Sequence, residues 1–402
     1  MEKPREERGF STQNEEGTPV SGQSRLVIAT EVFPPSIGGP ATFADLLARE
    51  LSGDGTAVTV VCSSDVASDP ADASRPYTVR RVDIRTRYRY ELEMRAALSL
   101  ALGRARRGLV MNLERYAVPV AKATRARIAI KVVGDTAWEV GRNNGWVTDG
   151  FDEFQARGRP SNERLAAIYD TRRGWLDAAS IVITPSEYLR GVVHGWGVPL
   201  DHIVAIPNGA QVDAVPDAAA ATNRDGYGGG LRVLFAGRLT NWKGVDTAML
   251  AVQRSEGVTL TVVGDGPELP LLQQLASALG LADKVTFLGR QRHDEVLRLA
   301  TEHDVGVLMS GYEGMSHTLL ELSAASLPVV CSDIGGNREV VTHDQDGWLV
   351  PYGDVAALAA LLAELARDRE RVTRVRDAAR AMSGRYTFQS TATRTAEVLA
   401  AL

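Results

Sequence analysis

Cysteine is nearly absent from this 402-residue chain. The two present, Cys62 and Cys331, each end an apolar run, VTVVC and LPVVC. That placement reads as small buried side chains in a reducing compartment, and excludes a disulfide framework or a thiolate metal site. The six histidines show no metal-ligand spacing, so no metal is expected. No apolar run reaches the length of a membrane span, and no secretory pattern opens the chain, so a cytoplasmic protein is expected. A net charge of −5 gives no general pull toward nucleic acid, and no nucleic-acid partner is expected. Hydrophobic content of 44% is ordinary for a globular protein, and the length is too great for one core.

What the chain does have is a recurring order of strand, loop and helix. Residues 1–24 are polar and read as a disordered tail. Leu26–Ala29 is an apolar strand. The loop PPSIGG follows, then a helix with Phe43, Leu46, Leu47 and Leu51 on one face, then a strand at Ala57–Cys62. This is a βαβ unit and implies an α/β protein with a parallel sheet. Gly38 and Gly39 precede a helix start, where the backbone can approach a phosphate or sugar; a plain tight turn is the competing reading.

Residues 75–131 carry fifteen arginines and lysines against few acids, in a chain that is acidic overall. Such asymmetry marks contact with anionic lipid or a phosphorylated acceptor, unless it is only a solvated basic face. The strand Ile128–Val133 then runs into Gly-Asp-Thr-Ala-Trp-Glu. Ligands in parallel sheets gather at the C-terminal ends of strands, so Asp135, Trp138 and Glu139 are candidates for the acceptor side. The segment with Phe151 and Phe154 reads as a loop or irregular helix. Leu165–Ala178 reads as helix and Ser180–Thr184 as strand. Ser186 caps a further helix, and Ile203–Ile206 is a strand ending in Pro207-Asn208-Gly209.

Residues 213–230 are low in complexity, include three consecutive glycines, and read as a linker. A second βαβ series begins near residue 231. Its strand Arg232–Ala236 ends in Gly-Arg-Leu-Thr-Asn-Trp-Lys-Gly, and its strand Val305–Met309 delivers SGYEGMSHTLLELSAAS. In that stretch Glu313 lies on a loop, Ser316 is a helix cap, and Glu321 stands in the second helical turn. Amide groups at such a helix start attract phosphates, and a carboxylate one turn on suits a ribose. The alternative is a solvated loop glutamate and an exposed helical one.

The ordered set FAGRLTNWKG, VVGDGPE, FLGRQ, YEGMSHTLLE and SDIGGNREVV resembles the retaining family-4 (group 1) glycosyltransferases of the GT-B fold. The first half resembles them more loosely, through PPSIGG, KVVGDTAWE, PSEYLR and IPNG. The resemblance implies two Rossmann-like domains facing across a cleft: 25–212 for the acceptor, 231–383 for the donor, with 384–402 returning to the first domain. It implies a nucleotide-diphosphate sugar as co-substrate, with UDP favoured over GDP, and a small-molecule, glycan or lipid-linked hydroxyl acceptor. The setting would be bacterial glycan, glycolipid or secondary-metabolite assembly. Arg238 and Lys243 match the basic pair on the diphosphate, where both would neutralise the leaving group. Glu321 matches the ribose ligand, and Glu313 the residue near the transferred sugar. The amides of Gly314, Met315 and Ser316 would meet sugar and phosphates. Arg290 falls at the base, and Gly38 and Gly39 in the loop that closes over the donor.

One departure concerns Asp135, which stands where many relatives carry a histidine against the transferred sugar. His317 follows the phosphate amides, where capping or packing is the simpler role. The Asp344-Gln345-Asp346 triplet imitates a metal motif, yet lies in a turn and reads as solvated acids. A sugar-nucleotide epimerase, a phosphorylase, or a sugar-nucleotide-binding protein without turnover would use the same fold. Basic residues 75–131 leave peripheral contact with the inner membrane face as an expectation.

Overall fold

A computed structural model describes residues 24–36, 39–66, 68–86, 88–211 and 230–402. Gly38, Arg87 and nearly all of the expected tail and linker lie outside the described residues.

The first domain is a seven-stranded sheet with helices on its faces. Its strands are β1 (Arg25–Thr30), β2 (Ala57–Ser64), β3 (Thr78–Asp83), β4 (Arg107–Met111), β5 (Arg127–Lys131), β6 (Ile181–Thr184) and β7 (Ile203–Ala205). They lie in the order β3-β2-β1-β4-β5-β6-β7, every pair parallel. The second domain has six strands: β8 (Leu231–Ala236), β9 (Val258–Val263), β10 (Val285–Gly289), β11 (Val305–Leu308), β12 (Val329–Ser332) and β13 (Trp348–Val350). Their order is β10-β9-β8-β11-β12-β13, again all parallel. These are two doubly wound sheets of the GT-B fold. Central strands such as β11 and β12 are buried throughout, because helices cover both faces of a parallel sheet.

Each sheet grows outward in one direction and then restarts beside its first strand. The switch points fall between β1 and β4 and between β8 and β11. A crevice opens there at the C-terminal strand ends, since the flanking connections leave on opposite faces. The loops after β8 and β11 are the two that carry Arg238, Lys243 and Glu313.

The helices of the first domain are α1 (Gly39–Gly53), α2 (Tyr90–Ala105), α3 (Glu114–Thr124), α4 (Thr136–Asn143), α5 (Phe151–Arg157), α6 (Glu163–Leu176) and α7 (Glu187–Gly195). Those of the second are α8 (Val245–Arg254), α9 (Leu269–Ala278), α10 (His293–Glu302), α11 (His317–Ala324), α12 (Gly335–Arg338), α13 (Val355–Arg367) and α14 (Arg369–Ser383). Local signals hold where they are strong. Ser186 Oγ accepts the N–H of Leu189, and Ser316 Oγ that of Leu319, so both serines cap their helices. The last helix, α15 (Phe388–Ala400), packs on the first domain. Its Ala392 and Leu399 join the core of β1 and β2, and Phe388 meets Phe43 edge-on with centroids 6.2 Å apart.

The basic stretch hides regular structure: β3, α2, β4 and α3 all lie within it. Its arginines are also less free than composition implies. Arg75 and Arg81 have side chains only 5% and 2% exposed, held by Asp45, Asp69 and Asp72. Arg85, Arg89 and Arg115 pair with Asp83, Glu93 and Glu91. Part of the apparent basic face is therefore an internal ion-pair network. Phe151 and Phe154 belong to α5 and are buried. In the Asp344–Asp346 turn Asp344 is exposed, as expected of a solvated acid, but Asp346 is buried. Asp344 accepts from the Trp348 indole at 3.1 Å and from Arg371, and Asp346 accepts the N–H of Thr342 at 2.7 Å.

Candidate functional site

The crevice between the domains holds a cavity of about 680 Å³. Its second-domain wall comes from the two switch-point loops. After β8 the chain presents Arg238, Thr240, Trp242 and Lys243; after β11 it presents Tyr312, Glu313, Gly314, Met315 and Ser316. Lys243 Nζ donates to Glu313 Oε1 at 2.6 Å, and Ser310 Oγ donates to the same oxygen at 2.7 Å. The ion pair is mostly shielded, with side chains 23% and 11% exposed. It fixes Glu313 beside the start of α11, whose first N–H groups have no carbonyl partner within the helix. That junction of a cation and helix-start amides suits a phosphate. Gly336 explains the paired glycines of α12. A β-carbon there would lie 2.2 Å from the carbonyl oxygen of Glu313, so only glycine lets α12 support this loop from beneath.

Glu321 stands one turn into α11. Its side chain is 25% exposed and lies 3.9 Å from His293. Burial pushes its pKa from 4.5 up to about 7, and pushes that of His293 down. Glu321 does not border the main cavity but lies next along the same helix face, beyond His317 and Thr318. Arg290, just past β10, is 63% exposed and 3.8 Å from Asp265, also outside the cavity wall. Gly39 opens α1 and borders the cavity from the first domain.

Two acceptor-side candidates carry packing roles. Asp135 caps α4 by accepting the N–H of Ala137 at 2.9 Å. Its other oxygen accepts from Gln155 at 2.8 Å and from Arg172. The side chain is fully buried and braces α4 against α5 and α6, while the residue also borders the cavity. Arg172 lies between the rings of Tyr169 and Trp196, at 4.0 and 3.9 Å. Trp138 is 1% exposed and packs against Trp242, Phe151 and Tyr312. It belongs to an aromatic joint between the domains and does not border the cavity. Glu139, in contrast, does border the cavity. Burial above all raises its pKa to about 7; the Asp135 charge adds to this, and Lys243 and Arg238 oppose it. Such a carboxyl can accept or release a proton near neutrality.

Further bonds close the cleft. Tyr312 Oη donates to the carbonyl of Val133 at 2.8 Å, Asn208 Nδ2 to that of Met315 at 3.0 Å, and Asn241 to that of Arg142 at 2.9 Å. Glu339 accepts the N–H groups of Glu187 and Tyr188 at the start of α7, a favourable place for a carboxylate.

Lys131 opens the KVVGDTAWE stretch, yet the motifs assign it no role. It ends β5, is 3% exposed, and borders the cavity. Burial pushes its pKa down to about 7. A lysine closing the apolar run of a central strand was the available signal. His317 borders the same cavity, and burial with the nearby Lys131 charge lowers its pKa to about 4, so it is neutral at physiological pH. Among the described residues, no group of three or more His, Cys, Asp or Glu side chains is placed to hold a metal.

Comparison with known proteins agrees with this architecture. The family "Glycosyl transferases group 1" matches residues 226–382, and "Glycosyltransferase Family 4" matches 37–214. A Mycobacterium tuberculosis glycogen synthase is 31% identical over 269 residues, covering 65% of this chain and 61% of the synthase. The chain thus aligns with under two thirds of that relative's length. The GDP-mannose-dependent alpha-(1-6)-phosphatidylinositol monomannoside mannosyltransferase of M. tuberculosis is 29% identical over 386 residues, 87% of this chain and 90% of that one. Among solved structures, Anabaena HepE in complex with UDP and glucose superposes with a TM-score of 0.76 at 19% identity, over 94% of this chain and 100% of that one. Sucrose-phosphate synthase from Thermosynechococcus elongatus gives 0.78 at 18% identity, over 94% and 98%. Two family matches that divide the chain as its two sheets do, together with these neighbours, show that it belongs to the group 1 glycosyltransferases of the GT-B fold.

Proposed function

We propose that this protein is a retaining, metal-independent hexosyltransferase that moves a sugar from a nucleotide-diphosphate donor to a hydroxyl acceptor. The observation that carries the reading is the Lys243–Glu313 pair set against the start of α11, with Arg238 in the same cavity. The diphosphate would lie on the α11 amides, with Arg238 and Lys243 neutralising the charge that grows as the bond from the anomeric carbon to phosphate breaks. These two cations would supply that neutralisation without a metal. Glu321 would take the ribose hydroxyls.

Glu313 is poorly suited to be a covalent nucleophile, because Lys243 and Ser310 both hold its Oε1. This supports a same-face reaction: the acceptor oxygen bonds to the anomeric carbon while its proton passes to the departing phosphate oxygen. Glu139, on the first-domain side, is the carboxyl nearest in character to an acceptor-hydroxyl partner. A UDP-sugar is favoured over a GDP-sugar on account of Arg290; the mannosyltransferase relative is GDP-dependent, and HepE was solved with UDP. No helix among the described residues is long and apolar enough to cross a membrane. A lipid-linked acceptor would bring a membrane surface to the start of α2, where Tyr88 and Leu92 are 99% and 72% exposed beside Arg85 and Arg89.

The test is a thermal-shift panel of UDP, GDP, ADP, dTDP and their common sugars, with and without EDTA. A ligand at about 100 times its Kd adds roughly 2.7 kcal/mol, which is readily seen. Stabilisation by one nucleotide class, unchanged by EDTA, is expected; no stabilisation by any of them overturns the reading. The anomeric configuration of the product, read by NMR, decides the stereochemical part.

A further inference from the structure

We propose that Lys131 is a third phosphate-binding cation of the cleft, supplied by the first domain, and that its ammonium holds a phosphoryl oxygen of the donor diphosphate opposite the α11 amides. The inference rests on the nucleotide-sugar reading of the cleft and extends it to a residue to which the motifs of that reading give no role.

A lysine is almost never fully buried unless paired, and Lys131 is 3% exposed. An ammonium has three N–H donors. One reaches Asn208 Oδ1 at 3.2 Å, and the ring of Phe43 lies 4.3 Å away. Among the described residues, no carboxylate acts on it. A neutral amide and an aromatic face do not supply a counter-charge, so the site is arranged for a cation whose anion arrives with the ligand. Burial has pushed the pKa of this amine down to about 7, and an anionic oxygen beside it restores the charged form.

The location names the anion. Lys131 borders the cavity that Arg238, Lys243 and Ser316 also border. Asn208, its hydrogen-bond partner, donates in turn to the Met315 carbonyl at 3.0 Å. Lys131 is therefore two hydrogen bonds from the loop that begins α11. The start of α1 closes the same corner: a β-carbon at Gly39 would lie 2.9 Å from Cδ2 of His317. Two helix starts from opposite domains thus converge on a buried, anion-less cation. A phosphoryl oxygen in that corner touches both domains at once.

Titration calorimetry of UDP, GDP and pyrophosphate into the full chain tests this, comparing wild type with Lys131→Met and, should that variant not fold, Lys131→Gln. Loss of one charge-assisted hydrogen bond predicts an affinity for the nucleoside diphosphate weaker by about 10- to 100-fold. The nucleotide-free variant should be at least as resistant to urea as wild type, because a buried unpaired ammonium has been removed; a merely structural brace would give the opposite sign. Unchanged diphosphate affinity overturns the assignment, including the case where only the KM for the acceptor rises, which would place the phosphate on the acceptor. Wild type that binds neither nucleotide nor pyrophosphate overturns the reading of the cleft itself, and this assignment with it.

Discussion

Replacing Glu321 with glutamine separates the cost of a charged group in the cleft from its use. Burial raises this carboxyl from 4.5 to about 7. An acid with a raised folded pKa weakens the fold as the pH climbs from its unfolded to its folded value, because the unfolded chain gives up the proton first. The penalty is absent below about pH 4.5, grows through pH 7, and is complete above it. A displacement of this size corresponds to about 3 kcal/mol at most. With a quarter of the side chain exposed, solvent relieves part of that, leaving about 1–3 kcal/mol. The glutamine variant should therefore be more stable than wild type at pH 8 by about 1–3 kcal/mol and equal to it near pH 4. Hydrogen exchange of the amides in β8, β11 and β12, corrected for intrinsic rate, reads this in the second domain without assuming one transition for both domains. The same variant loses the charge on the proposed ribose acceptor, and should bind its nucleotide about tenfold more weakly. A variant that gains no stability at pH 8 would show that the carboxylate is adequately solvated. One that binds nucleotide as tightly as wild type would remove Glu321 from the site.

Two other substitutions bear on the site. Lys243→Ala breaks the 2.6 Å pair with Glu313 and should lower kcat by about 100- to 1000-fold while circular dichroism stays unchanged; near-normal turnover would refute the diphosphate role. Asp135→Asn leaves the buried Arg172 without a carboxylate and should cost the first domain about 3–5 kcal/mol in denaturant unfolding, with kcat of the folded protein unchanged. A fall in kcat at full foldedness would return Asp135 to the chemistry.

Much of this protein is legible along the chain because its signals are local. Apolar runs bounded by glycine and serine mark the strands of both sheets, and Ser186 and Ser316 act on backbone groups three residues away. The Arg238, Lys243 and Glu313 positions follow from the same logic, since each lies just past a strand end, where parallel sheets expose their ligand crevice. The stretch from β3 to α3 was obscured by arginines, and their carboxylate partners lie up to 30 residues away in sequence. Asp135 and Trp138 could not be assigned from their neighbours. The partners that fix their packing, Arg172 on α6 and Tyr312 on the second domain, are distant in the chain. Lys131 shows the division most plainly. Sequence places a lysine at the end of an apolar strand, but whether its ammonium meets water, a carboxylate or a ligand depends on Asn208, Phe43 and His317. Periodicity and capping act through adjacent backbone, so sequence alone determines the two βαβ series. Burial and charge compensation arise only when segments distant in the chain pack together, so tertiary structure decides which of the polar residues do chemistry.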